Sequence, residues 1–100
     1  MKPVVFHDQA RAELEAAVAW YEQCRPGLGV EFRTAVENAI RRIRENPQVG
    51  WRYGATRFRC VLVHRFPYVV FFSEGADVVR VMAVAHGRRR PGYWKNRGNK

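Results

Sequence analysis

One hundred residues make a single domain, with no length to spare for a second core or a long linker. At 47% hydrophobic and 27% charged residues the composition is that of a globular chain and excludes intrinsic disorder. The formal charge of +9 is unevenly placed: residues 1–46 carry seven acids and seven bases, whereas residues 47–100 carry eleven bases and only Glu74 and Asp77 as acids. An excess confined to one half predicts an anionic partner, nucleic acid or acidic protein.

Val4–Val5–Phe6 is too short to read as a secretory leader, and no apolar run approaches the roughly 20 residues of a membrane span. Cys24 and Cys60 lack metal-ligand spacing, and two thiols are no disulfide framework. The expectation is a cytoplasmic protein without membrane association, metal or cofactor.

In chain order, Lys2–Phe6 reads as a first strand. Asp8 is the expected N-cap of a helix running to about Cys24, with Leu14, Ala17, Val18 and Tyr21 at the helical period. Trp20 and Tyr21 are expected to pack in the core or between helices. Arg25–Pro26–Gly27 breaks the chain. A second helix from about Gly29 to Glu45 carries the apolar stripe Phe32, Val36, Ala39, Ile40 and Ile43. It ends at Asn46–Pro47, because the residue before proline avoids the helical region. The short link predicts an antiparallel helical hairpin.

The second half reads as strands. Over Thr56–Arg65 the alternation separates Phe58, Cys60 and Leu62 from Arg57, Arg59, Val61, Val63 and Arg65. One face can then meet the helices while the other carries guanidinium groups at its ends. Phe66–Pro67 predicts a turn, Tyr68–Ser73 a strand, and Glu74–Asp77 a second turn. Val78–His86 predicts a third strand, with Arg80, Met82, Val84 and His86 on one face and Val79, Val81, Ala83 and Ala85 on the other. Links this short require an antiparallel meander. The order β-α-α-β-β-β defines an α+β fold, an antiparallel sheet on a helical hairpin with one sheet face partly open. A basic tail over about 87–100 holds six bases, no acids, and Tyr93 and Trp94.

Several stretches together resemble the RelE/ParE superfamily of toxins from bacterial type II toxin–antitoxin systems. They are Ala-Val-Ala-Trp-Tyr-Glu at 17–22, Arg-Pro-Gly-Leu-Gly-Val-Glu-Phe at 25–32 and Ile-Arg-Glu-Asn-Pro at 43–47. Arg-Phe-Pro-Tyr at 65–68 and Ala-Val-Ala-His-Gly-Arg-Arg-Arg-Pro-Gly-Tyr-Trp at 83–94 complete the set. The resemblance implies a growth-inhibiting toxin neutralised by a cognate antitoxin, with which it forms a hetero-oligomer. It leaves two targets open: ParE-like members block DNA gyrase, and RelE-like members cut messenger RNA, usually on the ribosome.

A metal-independent ribonuclease needs a base, an acid and cations for the phosphorane. His86 suits the acid–base role, Arg80 and Arg65 can hold phosphate, and Tyr93 or Trp94 can stack on a splayed base. RelE-like nucleases, however, place an arginine after the aromatic that opens the strand following the first meander turn. Here Tyr68 is followed by Val69. Asn46–Gly50 and Phe66–Pro67–Tyr68 look more like the ParE branch, so gyrase inhibition is the favoured reading and needs no catalytic group. Under either reading the contact residues expected for target or antitoxin are Arg57, Arg59, Arg65, Arg80, His86, Arg88, Arg89, Arg90, Tyr93 and Trp94.

Overall fold

A computed structural model describes residues 1–90 and 92–99, the last two by backbone alone; Pro91 and Lys100 of the predicted tail lie outside the described residues. The elements are β1 (Val4–Phe6), α1 (Asp8–Cys24), α2 (Leu28–Glu45), β2 (Trp51–Arg52), β3 (Arg59–Leu62), β4 (Tyr68–Glu74) and β5 (Val79–His86), followed by a 3-10 turn at Lys95–Asn99. The sheet runs β1-β5-β4-β3-β2, with β1 parallel to β5 and the other pairs antiparallel. The α+β expectation holds, but the sheet is mixed and not antiparallel throughout: the helical hairpin carries the chain from β1 across to the meander, so β1 pairs in parallel with β5, and the two-residue β2 is added at the outer edge.

α2 begins within a residue of the sequence expectation, whereas the cap of α1 differs from it. α1 is capped by His7, not Asp8: the His7 imidazole Nδ1 accepts the Gln9 N–H at 3.1 Å, and Asp8 joins the first turn. At α2 the Glu22 carboxylate reaches across from α1 to accept the N–H groups of Gly27 and Gly29, at 3.0–3.1 Å. An anion there meets donors that the helix itself leaves unpaired. The helices approach tightly at Gly29, where a Cβ would stand 2.7 Å from the Val18 carbonyl oxygen. With Glu15 bound to Arg33 further along, the pairings run in opposite directions, as in an antiparallel hairpin.

The hairpin lies on one sheet face. Leu14, Ala17 and Tyr21 of α1 and the whole predicted stripe of α2 are buried there against Val61, Val63, Val70, Phe72, Val79, Val81 and Val84. Tyr21, Phe32, Phe66 and Tyr68 meet mainly edge-on at 4.9–6.1 Å, the arrangement that ring quadrupoles favour. Trp20 departs from the core expectation. It is 59% exposed, because α1 turns only its Tyr21 side to the sheet.

Strand alternation holds in β3 but with its faces exchanged relative to the expectation, and it fails in β5. Only Arg59–Leu62 of the predicted strand 56–65 pairs, and Val61 and Val63, which share the arginines' parity, enter the helix-side core. Leu62, of the supposed apolar parity, is instead 55% exposed. In β5 the register slips at Met82: Phe72 lies opposite Val81 and Phe71 opposite Ala83. A bulge of this kind shifts every later side chain to the other face. Val79, Val81 and Val84 therefore join the helix-side core, while Ala83 and Ala85 turn away with Met82.

Contrary to the expectation of a single core, those three form a second, smaller core closed by the tail. Trp94 stacks on Phe71 at 4.6 Å and meets Phe58 edge-on at 4.8 Å, leaving it 1% exposed. The tail thus covers the β4–β5 part of the face expected to be open, while Trp51 remains exposed at the outer edge. Among the described residues no helix is long and apolar enough to cross a membrane.

Candidate functional site

Nine of the ten candidate contact residues, all but Trp94, divide between the two ends of the sheet, separated by about 20 Å of strand. Arg59 and Arg80 lie at the end where β3 and β5 begin, with Arg57 just before β3. Arg59 is engaged there, donating to the Gln48 backbone and side-chain oxygens at 3.2 and 2.9 Å, and Arg57 lies over the Phe58 ring at 4.7 Å. Arg65 sits in the β3–β4 turn at a positive φ of 74°, facing Glu31 of α2 at 3.9 Å. His86, Arg88, Arg89, Arg90 and Tyr93 gather at the far end of β5.

Arg80 and His86 do not share a face. Arg80 lies between Val79 and Val81 and so points away from the helices, whereas the bulge returns His86 to the helix side, edge-on to Tyr68 at 5.3 Å. They also stand at opposite ends of β5. His86 Nδ1 accepts the Arg88 N–H at 3.1 Å, which ties the ring into the turn after the strand.

Tyr93 is not poised to exchange protons. Its hydroxyl donates to Glu13 Oε2 at 2.6 Å, and burial together with that carboxylate pushes the phenol far above its usual range. Its ring lies beneath the guanidinium groups of Arg89 and Arg97, at 4.0 and 5.1 Å. Trp94 is committed to the second core, so stacking on a base would first require unpacking the tail.

Glu13 is the organising residue that the sequence reading missed. Its Oε1 accepts the Val84 N–H at 3.0 Å, and its Oε2 accepts Tyr93 and Arg97, the latter at 2.9 Å. Arg97 also donates to the Met82 carbonyl at 3.1 Å. These bonds serve a stretch of β5 beyond the last pairing with β1, at Val81, where open backbone groups need partners. One signal was available: Glu13 lies three residues after Ala10 and four before Ala17, on the buried edge of α1.

A larger groove of about 960 Å³ opens between α2 and the β3–β4 turn. Val30 and Leu62 line it, 68% and 55% exposed, together with Arg41, Arg42 and Arg65. Arg42 donates to the Leu62 carbonyl at 3.0 Å and so occupies part of the outer edge of β3. Burial pushes the Cys60 thiol up, toward an unreactive state. Among the described residues no group of three or more His, Cys, Asp or Glu side chains is placed to hold a metal ion.

A helical hairpin on one face of a mixed sheet, a basic aromatic tail on the other, and an apolar groove rimmed by arginine define a small α+β protein with surfaces suited to macromolecules. Residues 4–91 match the family described as ParE toxin of type II toxin-antitoxin system, parDE, and the chain belongs to that family. Among solved structures the fold is similar to one titled Chromosomal ParDE TA system from P. aeruginosa, with a TM-score of 0.68. That likeness covers 86% of this chain and 96% of the other at 17% identity, and at that identity it speaks for the fold alone. No curated protein matches the chain.

Proposed function

We propose that this toxin arrests growth by binding DNA gyrase and trapping it on DNA, and that a cognate antitoxin holds it inactive in a hetero-oligomer. The observation that carries this reading is the ParE family match across residues 4–91. The separation of Arg80 from His86 and the locked phenol of Tyr93 support it further, since a ribonuclease would need its acid, base and phosphate-holding groups around one scissile bond. A gyrase inhibitor needs only a surface. The groove between α2 and the β3–β4 turn suits the antitoxin, because exposed Val30 and Leu62 offer apolar anchors and Arg41 and Arg65 attract an acidic amphipathic segment. Gyrase works in the cytoplasm, and the toxin acts there.

The test is purified gyrase with relaxed plasmid. The toxin is expected to suppress supercoiling and to accumulate cleaved gyrase–DNA complexes. Normal supercoiling alongside cut ribosome-bound messenger RNA would overturn the gyrase assignment in favour of the ribonuclease.

A further inference from the structure

β1 ends at Phe6, so beyond Val81 the outer side of β5 has no neighbouring strand, and α1 lies there instead. Between the two is a notch of about 300 Å³. The buried Ala17 and Val84 line it together with Trp20, Tyr68, His86 and Arg89. Glu13 also borders the notch, but its carboxylate is already bound to Arg97, Tyr93 and the Val84 N–H. The local charge is therefore set by Arg89 and its neighbours Arg88 and Arg90, which form no ion pair among the described residues. Arg89 is held in place by the Tyr93 ring beneath it.

We propose that this notch binds a single-stranded nucleic acid, with one unstacked base against Trp20 and the adjoining phosphates on Arg89 and Arg88. Three observations converge on that ligand. Trp20 presents a flat, accessible ring beside the edge-on pair of Tyr68 and His86, and every base has a face that stacks on such rings. Unpaired guanidinium groups at the same end match phosphate in charge and geometry. The volume is at the lower limit of small-molecule sites, about 300–1,000 Å³, which admits a base but not the several turns of helix that a groove-bound peptide presents. Base and phosphate are common to DNA and RNA, so the experiment separates the two.

The experiment titrates the intact protein into labelled oligothymidylate and, separately, oligouridylate, reading anisotropy over a range of salt. Inorganic polyphosphate serves as a probe of charge alone. Binding of either strand is expected, and the tighter one identifies the natural polymer. Trp20→Ala should weaken oligonucleotide binding about 5- to 150-fold, the contribution of one base–aromatic stack, and leave polyphosphate binding unchanged. Trp20→Phe should retain part of the lost affinity, and Trp51→Ala, an exposed indole elsewhere, should change nothing. Arg89→Gln should reduce the slope of log K against log salt by about 0.7. The proposal fails if neither strand binds, or if Trp20→Ala, with its circular dichroism intact, binds oligonucleotide like the parent protein. Gyrase is absent from this assay and oligonucleotide from the supercoiling test of free toxin, so either reading can fail alone.

Discussion

Glu13 shows how one side chain can join three elements. Position 13 lies on α1, yet its two oxygens serve the β5 backbone and two residues of the tail. Replacing it with alanine would leave the Val84 N–H and the Tyr93 hydroxyl without partners in a partly buried site. Glu13→Ala is therefore expected to cost about 1–3 kcal/mol, read as a lower urea midpoint at unchanged m. Tryptophan emission should shift to the red as Trp94 is wetted. Read from sequence alone, an acid on an amphipathic helix looks solvated, because its partners are 71 to 84 residues away. The same limit applies to Trp20: the 3.6 period separates the faces of a helix but does not say how far the covering sheet extends.

At the scale of elements, α2 owes its start to α1. The Arg25–Pro26–Gly27 break is short enough for Glu22 to reach back over the first turn of α2 and take two of its free N–H groups. Glu22→Ala should cost about 1 kcal/mol, as loss of an N-cap does, and lower the melting temperature without altering the folded spectrum. Helix boundaries were legible to within a residue or two, since proline, glycine and apolar periodicity act locally. The faces of β5 were not. Strict alternation put Arg80 and His86 together, and the bulge at Met82 separated them. A bulge is settled by pairing with β4, which local sequence does not encode. β2 was missed for a related reason: two residues carry no period, and they become a strand only through Cys60 and Arg59 of β3.

Across the whole molecule, stability should fall in alkali, with both sheet faces contributing. Burial raises the phenols of Tyr21 and Tyr68 on the helix side, and burial with the Glu13 carboxylate raises that of Tyr93 on the tail side. The folded protein thus keeps protons that the unfolded chain gives up near pH 10. The stabilisation is complete below about pH 10 and is lost as the pH climbs through the folded values. Melting temperatures should be level on the neutral side and decline above that point, and Tyr93→Phe should flatten part of the decline. A profile that stays flat into alkali would contradict the buried placement of these rings. The basic excess of the second half does not form one field either. Arg59 and Arg80 mark one end of the sheet and Arg88–Arg90 the other, so partners can be met at separate places.

The sequence by itself determined the helical hairpin, the meander, the α+β class and the likeness to RelE/ParE toxins, because each rests on short-range periodicity, turn residues or motifs read along the chain. Only the tertiary structure decided which candidate residues meet. Trp94 went into a second core, Arg80 parted from His86, and Trp20 came to stand beside Tyr68 and Arg89. Those outcomes depend on strand register and on where the tail lands. Both are set by contacts between distant segments, whose free energy appears only once the chain has folded.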